Sequence, residues 1–467
     1  MLSNAVSIES EVLPSGREWY VVLVAASLGG VITAFTPLSA SAAGMLGITV
    51  FCVTLWVATP VPPWFTGLLG IGLIGVTSST AVAFVGFTSP ATWLIVLGIL
   101  IGEATRSCGL AKSLEHWLVQ HVPERLRTDA LETFRFLLVV LSLVGFALAL
   151  VVPSSLVRVL ILAPILVSVG DLFSSRRAKL GILFGPLFAT YYGGTGILTG
   201  SLSNIIIAGI VESATGQSIT WAGWFVHLFP LMGLGRTLAI IAVTYALYRP
   251  RDRDAISFPT HDEFTVSAAE RRMLAFLVVG VLFWATDFVH GLNPVYGALL
   301  VVLLAFVPRI GVVDLDVVTD ADYSIVLFVA AIFAIAGGLT RTGVTDLAAR
   351  TLLAQFPQHA STSVVLGAVV VVSSLVALLI EGLAAASVLT PILISFAHQT
   401  GVPLLPTVMI EAVTLNSYFF PYQSAVLVAI LAQPHVEMRD LVRMTVVSSL
   451  VTLLVLVPLQ VGLFVLS

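Results

Sequence analysis

The sequence predicts an all-α protein that crosses the membrane many times, and three observations support this fold class. Of its 467 residues, 58% are hydrophobic and only 10% are charged, and the mean hydropathy is +1.07. A soluble domain carries about 25% charged residues, so this chain has too little charge to cover a surface that faces water. Its apolar runs have the length of membrane crossings, and its two halves resemble each other.

Eleven of the apolar runs are each long enough for one crossing. They lie near residues 18–36, 43–60, 64–87, 91–104, 180–195, 224–248, 271–290, 294–308, 323–340, 404–420 and 442–466. Two further runs, 134–170 and 362–398, are about twice as long and are interrupted at "VVPSSLVR" and "IEGLAAAS". An apolar run that turns back halfway is a re-entrant helical hairpin, whose tip must be surrounded by protein or water.

Basic residues predict the side on which each loop lies. With a cytoplasmic N-terminus, all but four of the 21 Lys and Arg residues fall in cytoplasmic loops, as the positive-inside rule expects. Arg341 and Arg350 fall outside, and Arg158 and Arg236 fall within the membrane. We therefore expect a multi-pass protein of the cell membrane with its C-terminus outside. The first hairpin opens from the cytoplasm and the second from outside.

The two halves meet at the only long polar connection, "YRPRDRDAISFPTHDEFTVSAAERR". In each half, a hairpin that ends in "LAPIL" or "LTPIL" is followed by a crossing broken by small, polar or proline residues. Because the halves enter from opposite sides, they form an inverted repeat, which in secondary transporters places sites at hairpin tips and helix breaks near the midplane. The predicted units are N-terminal helices 1–63, a first repeat 64–248 (hairpin 134–170, broken helix 180–211), a cytoplasmic linker 249–270, and a second repeat 271–467 (hairpin 362–398, broken helix 404–433).

These features resemble the divalent anion/sodium symporters of the ion transporter superfamily. Members of that family carry Ser-Asn-Thr at each hairpin tip, ten residues before Leu/Ile-Pro-Ile, and a Gly-Thr-Pro-Pro-Asn-like loop in each broken helix. The matching positions here are Ser154-Ser155-Leu156, Glu381-Gly382-Leu383, Gly200-Ser201-Leu202-Ser203-Asn204 and Phe420-Pro421-Tyr422-Gln423-Ser424. The resemblance implies a homodimer with a scaffold and an elevator-like transport domain, a carboxylate or sulfate site at the tips, and sodium bound by nearby carbonyls. Both tip asparagines are replaced, which argues against sodium coupling.

Two charged residues stand at the tips, where the family is usually neutral. Arg158 follows Ser154 by four residues, and Glu381 takes the first motif position of the second tip. An ionisable side chain within the membrane indicates a functional site. We expect Arg158 to bind an anionic substrate through its guanidinium group, and Glu381 to be the coupling carboxylate that loads and releases a proton. The alternative is a structural salt bridge between them, which substrate could displace during exchange.

The other candidate residues match the tips and loops of the family. The predicted substrate-binding residues are Ser154, Ser155, Arg158, Thr195, Ser203, Asn204, Gln423 and Ser424, and the possible cation-site residues are Gly196, Gly200 and Asn416. The alternative role for some of them is to cap half-helices. We expect Arg236 to have a structural role, and its long side chain could reach toward the cytoplasmic face. The chain shows no metal or nucleotide motif, so we expect no cofactor, and a proton or sodium as the coupling ion.

The predicted function is secondary active transport of small anions, such as di- or tricarboxylates or sulfate, by proton coupling or exchange. The alternatives are a sodium-coupled dicarboxylate or sulfate symporter, a cation/proton antiporter that uses Glu381, and a non-transporting receptor or membrane enzyme. No nucleophile–base pair or phosphate-binding loop supports an enzyme or an ATP-driven pump. The expected partners are the anion, the lipid bilayer and a second copy of the chain, and not nucleic acid. The identity of the anion, the direction of transport and the coupling ion stay open at this point.

Overall fold

The computed structural model describes residues 18–58, 61–109, 123–126, 129–251, 255–257, 267–314, 316–355 and 361–466. Within these ranges the protein is helical, with one isolated β-bridge and no strand. Seven helices are long and apolar enough to cross a membrane, and six shorter apolar helices accompany them. Large apolar side chains are exposed along many of these helices, as a lipid-facing surface requires. The prediction of an all-α, multi-pass membrane fold is confirmed.

The N-terminal helices lead to the first hairpin. They are Glu18–Phe35, Ala40–Ala58, Pro63–Thr77, the short Thr80–Ala83 and Pro90–Ser107, with 3₁₀ turns at Val85–Thr88 and, further along, at Glu124–Leu126. Ser89 caps the last helix of this group, and Pro90 occupies its first position. Proline suits this position because the first N–H of a helix has no partner within the helix. Residues 110–122, which follow this group, lie outside the described residues.

The run 134–170 forms a hairpin, hereafter the first hairpin. Its arms are Ala130–Val151 and Ser155–Gly170. The tip between them is extended, because Pro153 cannot continue a helix and Ser154 caps the second arm by accepting the N–H of Val157 at 3.3 Å. The chain therefore turns back where the sequence predicts a re-entrant tip.

The first broken helix follows directly. It consists of Arg176–Tyr192, the 3₁₀ turns Gly193–Gly196 and Leu198–Gly200, and Leu202–Thr215. Residues 193–201, hereafter the first loop, interrupt the helix inside the protein, and they are buried throughout.

The middle of the chain contains a long interrupted helix and the helices after the linker. The first is Trp221–Leu228, a π-helical segment Phe229–Gly235 and Arg236–Tyr248; the others are Ala268–Ala285, Asp287–His290, Val295–Phe306 and Asp316–Asp320. Residues 252–254 and 258–266 of the predicted linker 249–270 lie outside the described residues.

The second half repeats the order of elements. Ser324–Arg341 and Val344–Leu353 meet at Gly343, whose φ of 74° favours glycine, and they precede the second hairpin, with arms Thr362–Leu379 and Gly382–Thr400. The second broken helix consists of Leu404–Leu415, a loop at 416–424 (hereafter the second loop) with the 3₁₀ turn Pro421–Gln423, and Ala425–Leu431. The chain ends with Met438–Val451, the π-helical Thr452–Leu456 and Val457–Leu466.

One helix links the N-terminal part of the chain to the second hairpin. Ser324–Arg341 packs closely against Pro63–Thr77, where a Cβ on Gly67 would lie 3.1 Å from the carbonyl oxygen of Leu327. The same helix also packs against Gly382–Thr400, the second arm of the second hairpin. The tip of that hairpin is thereby held beside the ends of the N-terminal helices.

Candidate functional site

Arg158 holds the first hairpin to the first broken helix. Its side chain is fully buried. Nε donates to the hydroxyl of Thr190 at 2.8 Å and Nη1 to the carbonyl of Val152 at 2.6 Å. Nη2 donates to the carbonyls of Thr190 (2.9 Å) and Gly200 (2.7 Å) and to the hydroxyl of Ser155 (3.0 Å). Of the five N–H groups of a guanidinium, at most one, on Nη1, is left for another partner.

Glu381 caps the second arm of the second hairpin. Its Oε2 accepts the backbone N–H groups of Leu383 at 2.9 Å and Ala384 at 3.1 Å. Within the described residues neither Glu381 nor Arg158 belongs to an ion pair. The salt bridge considered between the two tips is therefore not formed. Each charged group finds its partners within its own half of the protein. Arg158 donates to carbonyls, and Glu381 accepts N–H groups at a helix N-terminus.

Arg236 joins the two broken helices. Its donors reach the Thr452 hydroxyl (3.0 Å), the Tyr192 carbonyl and the Thr195 hydroxyl (both 3.3 Å), the Asn416 carbonyl (2.8 Å) and the Ser417 hydroxyl (3.1 Å). The guanidinium carbon also lies 4.6 Å from the centre of the Tyr192 ring. Arg236 is 1% exposed. Its side chain does not reach toward the cytoplasmic face, because groups at the helix breaks accept its hydrogen bonds inside the protein.

A second set of contacts joins the two loops directly. The amide Nδ2 of Asn416 donates to the hydroxyl of Ser203 at 2.7 Å. Its Oδ1 accepts from the hydroxyls of Ser201 at 3.3 Å and Tyr418 at 3.0 Å. All four side chains are buried. Ser203 and Asn416, two of the predicted site residues and one from each half of the chain, are therefore in contact.

Asn204 stabilises the first loop but leaves one polar atom without a partner. Nδ2 donates to the carbonyls of Thr195 at 3.0 Å and Ile197 at 2.9 Å. Oδ1 is buried and has no hydrogen-bond partner among the described residues. Turning the amide over would set Oδ1 against two carbonyls, so these contacts fix its orientation. Nearby, a Cβ on Gly196 would lie 2.4 Å from the backbone nitrogen of Gly233, which explains why a glycine is needed here.

Gln423 and Ser424 tie the second loop to its neighbours. Oε1 of Gln423 accepts two backbone N–H groups of the loop, both at 2.7 Å, and Nε2 donates to the carbonyl of Ala377 in the second hairpin. The hydroxyl of Ser424 accepts from the hydroxyl of Tyr191 and from the N–H of Val426. The side-chain amide of Gln423 is thus engaged by the protein itself.

A cavity of about 460 Å³ lies beside the tip of the second hairpin. Its walls come from that tip, the second loop and the ends of four other helices. They are mainly apolar and aromatic, with Trp56, Trp64, Phe328, Tyr422, Ser424 and Glu381 among the lining residues. Among the described lining residues, Glu381 carries the only charge. The volume and the apolar walls suit a small organic ligand.

Comparisons with known proteins agree with this architecture. The family described as the sodium:sulfate symporter transmembrane region matches residues 17–464. The chain belongs to this family. Its relatives include the L-tartrate/succinate antiporters of Escherichia coli strain K12 and Shigella boydii serotype 4, each 24% identical over 95% of this chain and 93% of the relative. The YdaH transporter of Alcanivorax borkumensis has a similar fold, with a TM-score of 0.58 and 16% identity over 96% of this chain and 98% of that one.

Membership of the sodium:sulfate symporter family confirms three predictions made from the sequence. The resemblance to the divalent anion/sodium symporters is correct. The protein is an anion transporter of the membrane, and it is not an enzyme. The roles of individual residues, the coupling ion, the homodimer and the orientation of the termini stay predictions.

The sequence analysis overlooked several buried residues of this family member. Tyr191 and Tyr418 stack with ring centres 5.5 Å apart, and Tyr192 meets Tyr418 edge to face, so aromatic rings connect the two helix breaks. The pair "YY" before the first loop gave a signal for them. Glu411 is fully buried, and it is the only charged residue between 404 and 431, which also could have drawn attention to it.

Proposed function

We propose that this member of the sodium:sulfate symporter family exchanges small dicarboxylates across the cell membrane and needs no sodium to do so. Two relatives that align with nearly the whole chain are named L-tartrate/succinate antiporters, which supports exchange of small dicarboxylates. The family resemblance supports a homodimer whose transport domain moves in an elevator-like manner. The proposal includes the predicted orientation, with the N-terminus in the cytoplasm and the C-terminus outside.

The observation that carries the proposal is the pair of buried guanidinium groups at the helix breaks. In transporters with broken helices, unwound backbone carbonyls coordinate sodium. Here Arg158 donates to the carbonyl of Val152 at the first hairpin tip and to those of Thr190 and Gly200 at or near the first helix break. Arg236 donates to the carbonyls of Tyr192 and Asn416, one from each broken helix. Both side chains lie among neutral acceptors within the described residues. The positive charge that sodium would bring is therefore a fixed part of the protein.

The tip of the second hairpin suits the binding of a carboxylate. The N-terminus of a helix presents free N–H groups and a partial positive charge, and the second arm extends over 19 residues from such a terminus. Glu381 takes two of these N–H groups and lines the cavity. A substrate carboxylate that enters from the cavity would compete with Glu381 for them. Glu381 would then act as an internal carboxylate that keeps the tip satisfied while the site is empty.

The test is a counterflow experiment with the purified protein in liposomes. We expect labelled succinate to enter only when the liposomes contain unlabelled succinate or tartrate, and to enter equally well when potassium or choline replaces sodium. Uptake into liposomes without internal dicarboxylate, driven by an inward sodium gradient, would overturn the proposal.

The same liposomes test the role of Glu381. In Glu381→Gln the neutral amide oxygen is a weaker acceptor than a carboxylate and competes less for the two N–H groups. We expect the KM for succinate to fall several-fold, while the half-exposed Glu132→Gln behaves like wild type. An unchanged or higher KM in Glu381→Gln would refute competition between this side chain and substrate. Loss of uptake driven by a proton gradient, with counterflow kept, would instead make Glu381 the proton-coupling carboxylate.

One observation favours the alternative, a sodium-coupled dicarboxylate or sulfate symporter. Oδ1 of Asn204 is a buried acceptor without a partner in the described part of the chain, beside the loop carbonyls of Thr195 and Ile197. A sodium ion prefers such oxygen ligands, and a bound water would satisfy the same atom. Sodium-dependent uptake that disappears in Asn204→Ala would support the alternative.

A further inference from the structure

Glu411 lies in the second broken helix and does not line the cavity beside the second hairpin tip. It belongs to Leu404–Leu415, and its side chain is fully buried. Its Oε1 accepts a hydrogen bond from the hydroxyl of Thr390 at 2.7 Å. Thr390 lies in Gly382–Thr400, the second arm of the second hairpin, and is also fully buried. The contact therefore joins the hairpin to the broken helix.

The other carboxylate oxygen has no hydrogen-bond partner among the described residues. Oε2 of Glu411 is buried and accepts no hydrogen bond from the described residues. A buried carboxylate needs paired charge or several donors to stay ionised, because its two oxygens offer about four acceptor sites. Among the described residues, the carboxylate of Glu411 receives only one hydrogen bond, from the neutral hydroxyl of Thr390.

The surrounding elements bring no compensating charge. Both arms of the second hairpin, Leu202–Thr215 and Val457–Leu466 pack against the helix of Glu411. The titratable groups that they carry are Glu212, which accepts from Asn293, His398, which is exposed, and Glu381 at the tip. Arg236 donates to the carbonyl of Asn416 and the hydroxyl of Ser417, beyond the end of this helix, and not to Glu411. Within the described residues no Lys, Arg or His nitrogen lies within 4.0 Å of the Glu411 carboxylate.

A proton suits this site better than a metal ion. Hard metal cations take six or more oxygen ligands, whereas one carboxylate and one hydroxyl meet here. No cluster of three or more His, Cys, Asp or Glu side chains occurs in the described ranges. A proton on Oε2 removes the charge that burial disfavours and leaves Oε1 as the acceptor of the Thr390 hydroxyl.

We propose that Glu411 and Thr390 form a proton-binding site of the transport cycle. The proton comes from water and binds to Oε2, and the neutral acid is the form that fits the closed packing of the second hairpin on the broken helix. When the proton leaves, the carboxylate needs water or new donors, and this requires the hairpin arm and the broken helix to separate. Proton binding at Glu411 does not depend on the proposed function. Only its expected consequence, an exchange rate that depends on pH, rests on the proposed transport function.

Infrared spectroscopy tests proton binding directly and needs no substrate. We expect the carbonyl band of a protonated carboxyl group in wild-type protein to decrease as the pH is raised. This change should be absent in Glu411→Gln and present in Glu132→Gln, whose carboxylate pairs with Arg135 at the surface. If Glu411→Gln keeps the whole pH-dependent band, Glu411 binds no exchangeable proton and the proposal is wrong. Because this result does not depend on the choice of anion, it remains decisive even if no dicarboxylate is exchanged.

Exchange in liposomes tests the consequence for transport. We expect the wild-type rate to change about tenfold per pH unit along one limb of its profile, as the titration of one group requires. Glu411→Gln imitates the protonated acid and should flatten that limb. A wild-type profile in Glu411→Gln, or a band that does not titrate anywhere in the range where exchange occurs, would reduce Glu411 to a permanently neutral structural acid and overturn the proposal.

A second variant keeps the test valid if Glu411→Gln does not fold. Thr390→Val is close in shape and removes the one hydroxyl that donates to the carboxylate. Since that hydrogen bond stabilises the ionised form, its loss should move the midpoint of the infrared titration toward higher pH. If the titration midpoint is the same in Thr390→Val as in wild type, the group that titrates is not Glu411, and the proposal is refuted.

Discussion

Replacing Arg158 by methionine tests whether this arginine holds the fold together or binds substrate. Methionine preserves much of the length and volume of the side chain but donates no hydrogen bond. The substitution leaves the carbonyls of Val152, Thr190 and Gly200 without the donors that Arg158 gives them. The carbonyl of Gly200 keeps the hydroxyl of Ser155 as a donor at 3.3 Å, and the hydroxyl of Thr190 can rotate toward other partners. The carbonyls of Val152 and Thr190 therefore determine the cost.

The magnitude follows from the count of carbonyls. Each buried acceptor left without a partner costs about 1–3 kcal/mol, so two of them cost about 2–6 kcal/mol. A domain has a total stability of about 5–15 kcal/mol, so Arg158→Met should be severely destabilised. The matched control is Arg106→Met. Arg106 is 63% exposed in a surface ion pair with Glu103, and such pairs contribute about 0–1 kcal/mol.

The protein contains its own probe for the measurement. Once the partly buried Cys108 is replaced by serine, Cys52 is the remaining thiol. It is fully buried, so a thiol-reactive dye reacts with it only when the protein unfolds on heating in detergent. We expect the unfolding midpoint to fall far more in Arg158→Met than in Arg106→Met, with Arg158→Lys between them because lysine retains a charge and three donors. If Arg158→Met unfolds at the wild-type temperature and loses only succinate binding, then Arg158 is the substrate ligand predicted from the sequence and the structural reasoning fails.

Three further predictions concern the two loops, the cavity and the tip of the first hairpin. Asn416→Ala removes the amide that joins the two loops and should lower stability by about 1–3 kcal/mol in the same assay; an unchanged midpoint would show that the loops are held without it. Ser324 lines the cavity at a helix end that the predicted topology places in the cytoplasm. With both native cysteines replaced by serine, Ser324→Cys should therefore react with a membrane-impermeant thiol reagent from the cytoplasmic side only. Labelling from outside would reverse that topology. Gly98→Val should cost about 1–3 kcal/mol and slow exchange, since its Cβ would lie 3.1 Å from Pro153 at the first hairpin tip, whereas Gly72→Val, with nothing within 4 Å, should behave like wild type; equal effects would exclude this contact as the cause.

Most of the fold could be predicted from the sequence because run length and interruption are local properties. A run of about twenty apolar residues can satisfy its backbone in lipid only as a helix, and a run of twice that length must turn back. The turns occur at Pro153–Ser154 and at Ile380–Glu381, which are the polar interruptions of the two long runs. The breaks at residues 193–201 and 416–424 likewise coincide with glycine, serine, asparagine and proline.

The partners of the charged residues could not be predicted, because they depend on which backbone groups the folded chain leaves unpaired. From the sequence, Arg158 and Glu381 are two opposite charges at two tips, and pairing them is the simplest arrangement. The structure provides each with partners closer in the chain: Val152 and Ser155 for the arginine, and the N–H of Leu383 for the glutamate. Sequence spacing gives no measure of such competition between a distant ion and nearby backbone groups.

The inverted repeat is symmetric in its backbone and asymmetric in its charges. Counting back from the proline of "LAPIL" and "LTPIL", Ser154 corresponds to Glu381, and Arg158 corresponds to Ala385. Both members of the first pair cap the second arm of a hairpin, one with a neutral oxygen and one with a charged oxygen. The second half has no arginine at its own tip, and its loop takes a cation from Arg236 of the central helix instead. Each helix break thus contains a fixed positive group, while the tip beside the cavity carries a negative one. Of these charges, only the carboxylate of Glu381 lines the cavity. If the proposed exchange is correct, it is this carboxylate that a carboxylate from solution replaces.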